Sequence, residues 1–501
     1  MKKQLLSVVL LISTAAIAQK QVPIEKFAKT ISPKELKAKL KVVASAEMEG
    51  RETATPGQKR AATYIENFFK KIGLEPGAAD GKYQMTYPVY QDSLINASFQ
   101  INNRNLLLGK DYELAANSLN NGNWNSQSIV FAGYGSTDSI NNDFKNLDIK
   151  DKWVLLLEGL PAGIQAKGSP FRINGMKASY ARSKGALGVI FISSKLPKGL
   201  AEDPKGNMYL KKMNTKPFPV IYINGNTAAS ILNSADTALS ALSRVAKKDY
   251  NTASSLSVTA TTINLESSNV LGVLPGTDKK GEYLFITGHY DHLGKKGDVI
   301  YYGADDDGSG TVSVMQIAQA FVNAKKKGYG PRRTIVFMTV SGEEKGLWGS
   351  EYFSEHPTVP LDSVSADLNV DMDGRIDTER KTADSLNYIY VIGHDKLSSE
   401  LQPINEGANN KYTQLVLDYK FDDPKDPNRI YYRSDHYNFA KKGVPILFFY
   451  DGMLKADYHQ PTDTVDKINF DLMSKRAKMI FFTGWDIANR DALLKRDIPL
   501  K

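Results

Sequence analysis

The sequence contains no cysteine, only six histidines and no long apolar run outside its first 18 residues. The absence of cysteine from 501 residues excludes disulfide bonds, thiolate metal sites and a cysteine nucleophile. A metal ion would therefore have to be held by histidines and carboxylates. Lys and Arg number 64 against 55 for Asp and Glu, and this mild, scattered excess does not indicate a nucleic-acid partner. No later segment is apolar enough to predict a membrane span.

The first 18 residues have the features of a secretory signal peptide. Lys2 and Lys3 precede an apolar stretch from Leu5 to Ile17, and Ala16–Ala18 has the small-x-small pattern of a cleavage site. The stretch is shorter than the roughly 20 residues that a transmembrane helix needs. We therefore predict cleavage before Gln19 and export of the mature chain, which is periplasmic or secreted.

The remaining sequence predicts an α/β fold that carries an insert. Residues 34–75 have the apolar spacing of two amphipathic helices. Between residues 107 and 248, short β-rich runs alternate with turns and histidine is absent, which indicates a non-catalytic insert. Strands and helices then alternate, which predicts a largely parallel sheet covered on both faces. The predicted domains are thus 19–106 and 249–501, which together form the catalytic domain, and the insert 107–248.

Four of the six histidines stand in motifs rich in polar residues. His289 and His292 lie in the sequence GHYDHLG, directly after a strand predicted over residues 283–287. His459 lies in YHQPTD and His436 in RSDH. These four histidines are the candidates for metal ligands or for other roles in a catalytic site.

Carboxylates cluster after the predicted strands in a similar way. Asp305, Asp306 and Asp307 stand in a row within GADDDGSG, between a strand and a helix. Glu343 and Glu344 follow the strand that precedes them, and residues 369–374 (NVDMDG) end another. A buried, unpaired carboxylate costs several kcal/mol, so three in a row indicate a bound cation. The alternative, a solvated turn that caps the next helix, needs only one Asp.

This combination of residue types suits a pair of divalent ions such as zinc, because it offers histidines and carboxylates without sulfur. Two-metal hydrolases hold their ions about 3.5–4 Å apart. One carboxylate must bridge the ions, and another must stay unligated to accept a proton from the attacking water. The adjacent Glu343 and Glu344 could divide the tasks of ligand and base.

These motifs, in this order, resemble the co-catalytic di-zinc aminopeptidases of the aminopeptidase Y type, in metallopeptidase clan MH. Residues 49–57 (EGRETATPG) resemble the N-terminal segment of that family. Phe131–Gly135 and Gly185–Val189 resemble parts of a protease-associated domain. The resemblance implies a zinc-exopeptidase fold, in which helices flank a mixed, largely parallel sheet, with an inserted β-rich α/β protease-associated domain. It also implies two Zn²⁺ per chain and the release of N-terminal amino acids from peptides.

The resemblance further implies a role for each residue of the metal centre. Five residues would be zinc ligands: His289 and Asp371 for one ion, Glu344 and His459 for the other, and Asp306 bridging both. Asp305 is the alternative bridge if the register shifts by one residue. Glu343 would be the general base and acid.

Other residues would support this centre. Asp291 would hydrogen-bond to His289 and fix its tautomer, and Asp307 would follow Asp306 through a cis peptide bond. His292 would either line the site or have a structural role. The aromatic run 448–450 predicts a buried strand rather than a specificity pocket. Three residues match a motif near the family's pocket and would support the site or contact substrate: Ser434, Asp435 and His436.

Two other functions stay open on the sequence alone. One is a zinc carboxypeptidase or dipeptidase on the same fold; a one-zinc glutaminyl cyclase is less consistent with the complete ligand set. The other is a receptor-like binding domain, which should lack metal ligands or Glu343. The expected partners are peptides with a free N-terminus, and the sequence does not indicate an oligomeric state.

Overall fold

The chain forms two compact units in the computed structural model. The model describes residues 24–500 except 139–141, 162, 165–169, 197–198, 202 and 212–215, so the predicted signal peptide lies outside the described residues. The first unit joins the chain up to Met85 with the chain from Ser268 onward, and the second comprises Thr86–Ser267. The inserted unit is thus wider at both ends than the predicted 107–248.

The helices and strands are numbered in chain order. The α-helices are α1 (Ile24–Ala28), α2 (Pro33–Val43), α3 (Pro56–Ile72), α4 (Pro170–Ser183), α5 (Gly225–Leu232), α6 (Leu239–Leu242), α7 (Gly310–Lys326), α8 (Trp348–Glu355), α9 (Leu401–Tyr412), α10 (His436–Lys441) and α11 (Phe470–Asn489). The strands are β1 (Glu75–Pro76), β2 (Gln84–Ile101), β3 (Arg104–Leu106), β4 (Tyr112–Leu114), β5 (Gly122–Phe131), β6 (Trp153–Leu157), β7 (Gly188–Ile192), β8 (Lys205–Tyr209), β9 (Val220–Ile223), β10 (Asp249–Leu274), β11 (Lys279–His289), β12 (Lys295–Lys296), β13 (Val299–Ile300), β14 (Arg333–Val340), β15 (Val364–Val370), β16 (Tyr388–Ile392), β17 (Val416–Asp418) and β18 (Ile446–Tyr450). Short 3-10 turns lie at Ala46–Arg51, Leu361–Ser363, Lys420–Asp422, Ile430–Tyr432 and Val465–Lys467, and a π-helical turn at Ala304–Ser309.

The first unit contains a mixed sheet in the order β17-β16-β18-β15-β11-β14, followed by the last residues of β10. Strand β11 pairs in parallel with both β14 and β15, and β15 pairs in parallel with β18. Antiparallel pairs join β16 to β18 and β10 to β14. The prediction of a mixed, largely parallel sheet flanked by helices is therefore confirmed.

Alternating side chains of the central strands supply two separate cores. Leu284 and Ile286 of β11 face a core with α2, α3, α7 and α11, whereas Phe285 belongs to the core on the other face. Phe285 packs there against Phe353 of α8 and Phe439 of α10. Because both faces are covered, these strands are apolar throughout, which is typical of parallel sheets.

Local sequence signals set the ends of the helices that cover the sheet. Ser32 caps α2 by accepting a hydrogen bond from the Glu35 amide, and Pro33 occupies the first helical position. Thr55 and Pro56 begin α3 in the same way, and Gly73 ends it in the left-handed conformation. The two predicted N-terminal helices are therefore present.

The inserted unit is a smaller β-rich α/β structure with its own apolar cores. Its parallel strands β5, β6, β7 and β9 are extended by β4, which pairs antiparallel with β9. The two unit boundaries fall inside the long strands β2 and β10. Much of β10 is Thr, Ser and Asn, which explains why a prediction based on apolar runs placed the boundaries too far inside.

No helix in the described part of the chain combines the length and the low polarity that a membrane span requires.

Candidate metal centre

Three neighbouring strands of the first unit deliver the site residues to one edge of the sheet. His289 is the last residue of β11 and pairs with Val340, the last residue of β14. Glu343 and Glu344 follow β14, and Asp371 directly follows β15. Because these strands are parallel, their carboxyl ends meet at the same edge, where α/β sheets form their sites.

One group of candidate metal ligands forms around His289. Its Nε2 atom lies 3.3 Å from Oδ1 of Asp306 and 3.6 Å from Oδ1 of Asp371. The three donor atoms lie within 4.8 Å of one another, and all three residues are buried. They are the three residues that the sequence motifs predict for one zinc ion.

A second group uses the other oxygen of Asp306. Nε2 of His459 lies 3.1 Å from Oδ2 of Asp306 and 3.1 Å from Oε2 of Glu344. His292 also faces this group, with Nδ1 2.7 Å from Oε1 of Glu344 and 3.9 Å from Oδ2 of Asp306. Asp306 therefore lies between two groups of donors, as a bridging carboxylate must.

The donor atoms of both groups fit bound metal ions. Nε2 of His289, Oδ2 of Asp306 and Oε1 of Glu344 are buried and have no hydrogen-bond partner among the described residues. Buried polar atoms are normally paired, so these atoms need a partner that is not a protein group. Histidine nitrogens and carboxylate oxygens suit zinc, and the site offers both.

Glu343 stands beside the first group without being part of it. Its Oε2 atom lies 3.7 Å from Nε2 of His289, and its amide donates a hydrogen bond to Oδ1 of Asp291. Burial raises the pKa of the Glu343 carboxyl well above its ordinary value. For Asp306 burial acts in the same direction, but the neighbouring imidazoles of His289 and His459 hold its pKa well below the ordinary value. The two carboxyls are thus suited to different roles.

The tautomer of His289 is set by Asp291, although mainly through its backbone. Nδ1 of His289 donates to the main-chain oxygen of Asp291 at 3.1 Å, while the nearer carboxylate oxygen is 3.7 Å away. That carboxylate accepts hydrogen bonds from Thr53 and from the Glu343 amide instead. A proton on Nδ1 leaves Nε2 unprotonated and available to a metal ion.

The three consecutive aspartates point in different directions. Of the three, Asp306 contacts the imidazole rings of His289 and His459; Oδ1 of Asp305 accepts from the Gly374 amide instead. Asp307 accepts hydrogen bonds from the amides of His289, Gly310 and Met372. It therefore connects the end of β11, the start of α7 and the loop after β15. The peptide bond between Asp306 and Asp307 is cis, as predicted. The geometry therefore favours Asp306 over Asp305 as the bridging ligand.

The last three residues of the RSDH motif lie behind the site rather than in it. Ser434, Asp435 and His436 are all buried. Ser434 accepts a hydrogen bond from Asn369, Asp435 accepts one from Ser350, and Nε2 of His436 donates to the main-chain oxygen of Tyr431. Burial raises the pKa of Asp435 to about 7 and lowers that of His436 to about 4. These contacts are consistent with a role in supporting the site. The contact with substrate, which was the other possibility, would then fall to other residues.

A cavity opens beside the candidate ligands. Three acidic residues of the site line one side of it: Asp306, Glu343 and Asp371. Apolar and aromatic side chains line the rest: Met372, Ile430, Phe448, Tyr450, Leu454 and Tyr458, with the guanidinium of Arg433 among them. Phe448 and Tyr450 belong to β18, which is buried as predicted. Both residues also border the cavity, although the apolar run 448–450 did not indicate this. Arg433 and Tyr458 lie within the motifs RSDH and YHQPTD, but the sequence did not indicate that they line the cavity.

The N-terminal segment contacts the loops that carry the site residues. The fully buried Arg51 donates hydrogen bonds to the main-chain oxygens of Tyr290, Tyr302, Gly303 and Val43. Arg51 therefore joins the loops that carry the histidines and the aspartates.

Comparison with known sequences agrees with this geometry. Residues 269–483, which hold all the candidate ligands, match the model of "Peptidase family M28". The part of the chain that forms the site is therefore similar to peptidases of this family.

Particular relatives share this part. A "Probable leucine aminopeptidase" of Arthroderma otae is 28% identical over 227 residues, which is 44% of this chain and 57% of that one. A "Probable zinc metalloprotease" of Pyrenophora tritici-repentis is 27% identical over 266 residues, or 45% and 52% of the two chains. The chain thus spans about half the length of the curated relatives it matches.

Two solved structures extend the likeness to nearly the whole chain. The aminopeptidase from Aneurinibacillus sp. strain AM-1 has a TM-score of 0.58 at 18% identity and covers 95% of this chain and 98% of its own. The zinc aminopeptidase of Bacillus subtilis has a TM-score of 0.55 at 18% identity, with 94% and 99% covered. At this level of identity these two structures establish the fold.

Proposed function

We propose that the chain is a zinc-dependent aminopeptidase that removes N-terminal residues from peptides. The observation that carries this proposal is the position of Asp306 between two groups of candidate metal ligands, with Glu343 beside them and outside both. The match to peptidase family M28 and the names of the relatives support the same conclusion.

Each residue then has a distinct task. Two bound zinc ions would supply Lewis acidity toward the scissile carbonyl and lower the pKa of the attacking water. His289, Asp371 and Asp306 would hold one ion, and Asp306, Glu344 and His459 would hold the other. Glu343 accepts the proton of the attacking water and passes it to the leaving amine. Its raised pKa brings it closer to the value that suits such a shuttle at neutral pH.

The cavity supports cleavage at the first residue of a peptide. Its acidic side, formed by Asp306, Glu343 and Asp371, attracts the positively charged α-amine of a free N-terminus. Its apolar side accommodates the side chain of the first residue, and the charge of Arg433 disfavours a basic one. We therefore expect leucine and phenylalanine to be released faster than lysine and arginine.

A panel of aminoacyl-arylamides and their N-acetylated counterparts tests the function. We expect hydrolysis of the free-amine compounds only, loss of activity with a chelator, and recovery when zinc is added back. The fastest substrates should be leucine and phenylalanine derivatives. Hydrolysis that persists after complete removal of metal would contradict the proposal.

The second candidate is a carboxypeptidase or dipeptidase, and one observation favours it. The guanidinium of Arg433 lines the cavity and donates a hydrogen bond to the hydroxyl of Tyr458, so it could also hold a substrate carboxylate. Cleavage of N-acetylated peptides with a free C-terminus, but not of the arylamides, would favour this function.

We also propose that the protein is exported after cleavage of residues 1–18. The charged start, the apolar stretch and the Ala16–Ala18 site support this proposal. The intact mass of protein recovered from the periplasm or the medium should correspond to a chain that begins at Gln19; an uncleaved chain would contradict it.

The motifs at Phe131–Gly135 and Gly185–Val189 support a further assignment, that the inserted unit is a protease-associated domain.

A further inference from the structure

The YHQPTD motif brings a second buried side chain to the candidate metal centre besides His459. Its last residue, Asp463, is only 1% exposed and lies in the loop between β18 and α11. The proposed function assigns no task to this residue. Because a buried carboxylate is costly unless hydrogen bonds or a positive charge compensate it, the partners of Asp463 indicate what it does.

Asp463 accepts hydrogen bonds from three successive main-chain amides. The amide of Asp305 donates to both oxygens of its carboxylate, at 3.1 Å to Oδ1 and 3.0 Å to Oδ2, and the amide of Asp306 donates to Oδ2 at 3.1 Å. The amide of Ala304 donates to the main-chain oxygen of Asp463 at 3.2 Å. Hydrogen bonds to a charged acceptor are stronger than neutral ones. One residue therefore holds the backbone from Ala304 to Asp306 in place.

The position of this backbone segment decides where the carboxylate of Asp306 points. Asp306 has a φ of −96° and a ψ of 102°, so it interrupts the helical turn in which it lies. Its two oxygens lie 3.3 Å from Nε2 of His289 and 3.1 Å from Nε2 of His459. A displacement of the backbone at Asp306 would therefore move both oxygens and disturb both groups of candidate ligands at once.

The loop that contains Asp463 also carries His459, the most exposed of the five candidate ligands. The side chain of His459 is 36% exposed, whereas those of the other four are 10% exposed or less. Arg375 holds this loop at two points, with Nη2 2.9 Å from Oδ2 of Asp457 and Nη1 3.8 Å from Oδ1 of Asp463. Asp463 therefore connects a braced loop, which presents His459, to the segment that presents Asp306.

We propose that Asp463 is a positioning residue, which sets the carboxylate of Asp306 and the loop of His459 relative to each other for metal binding. The inference rests on the proposed function, since it concerns the same centre. Asp463 belongs to neither group of candidate ligands, so it acts only through the residues that it holds. Residues that orient the ligands of a metal ion typically change its affinity by about 10–100-fold.

A zinc titration of the full-length mature protein against a competing chelator tests this role. We expect Asp463→Ala to weaken both zinc positions by about 10–100-fold, because Asp306 faces both groups. The position beside His459 should weaken more, since two of its three candidate ligands depend on Asp463. Asp466→Ala is the matched control, because Asp466 is an exposed aspartate in the same loop. This control should bind zinc as tightly as the wild type does.

Two conservative variants separate positioning from charge, and they also serve if Asp463→Ala does not fold. In Asp463→Asn the side-chain oxygen can replace Oδ2, which accepts from both amides, although the charge is lost. Asp463→Glu keeps the charge but shifts the carboxylate by one methylene group. We expect the asparagine variant to bind zinc more tightly than the glutamate variant. The reverse order would show that the charge acts without positioning, and it would overturn the inference.

The zinc affinity also distinguishes positioning from a purely structural role. A purely structural role would lower the free energy of unfolding of metal-free Asp463→Ala but leave the zinc affinity of the folded variant unchanged, which would overturn the inference. A wild-type protein that binds no zinc would contradict the proposed function as well. A wild type that binds two zinc ions and cleaves free-amine substrates, together with an equally tight Asp463→Ala variant, would contradict the inference alone.

Discussion

Replacement of Glu343 by alanine is expected to lower kcat by about 10²–10⁴-fold, the usual contribution of a general acid–base residue. The carboxyl lies 3.7 Å from Nε2 of His289 but outside both groups of candidate ligands. The variant should therefore keep its metal while it loses its proton acceptor. Steady-state kinetics, zinc content and circular dichroism together check this result.

Glu47→Gln is the control for this experiment, because Glu47 is an exposed glutamate that belongs to neither group of candidate ligands. It should have the kcat of the wild type. Near-normal turnover of Glu343→Ala would show that another group moves the proton. A parallel loss of zinc would mean that Glu343 is a ligand, and the roles of Glu343 and Glu344 would then have to be exchanged.

The second large effect is expected at the aspartate that faces both groups. Asp306→Ala removes a carboxylate whose two oxygens lie 3.3 Å from His289 and 3.1 Å from His459. Both zinc positions should weaken together, each by more than about 100-fold, and activity should disappear. Zinc titration of the purified variant measures both affinities.

The neighbouring Asp305 offers a matched control for the register of the motif. Burial, together with the neighbouring carboxylates of Asp451 and Asp463, raises the pKa of Asp305 well above its ordinary value. Asparagine has nearly the same shape and can still accept the hydrogen bond of the Gly374 amide. Asp305→Asn should therefore keep both zinc ions. If Asp305→Asn lost both ions and Asp306→Ala kept them, Asp305 would be the bridging residue.

The grouping of the candidate ligands can be predicted from the sequence because these residues follow strands that are easy to recognise. Strands β11, β14 and β15 are apolar throughout, and His289, Glu344 and Asp371 lie at or just beyond their ends. Parallel pairing alone then brings these residues to one edge of the sheet.

Other features depend on tertiary contacts that no local pattern records. The orientation of His292 toward Glu344 follows from the packing of its ring against Gly303 and His459. The cavity combines Arg433, Tyr450 and Tyr458, which come from separate segments. The wider bounds of the inserted unit follow from β2 and β10, whose polar residues conceal their strand conformation.

The hydrogen bonds of Arg51 join parts of the chain that are synthesised at different times. Arg51 is translated 239 to 252 residues before Tyr290, Tyr302 and Gly303, whose carbonyl groups it binds. At roughly 5–20 residues per second, the N-terminal segment waits on the order of 12–50 s for these partners. His459 follows later still. A nascent chain that has not yet reached His459 therefore carries an incomplete set of candidate ligands.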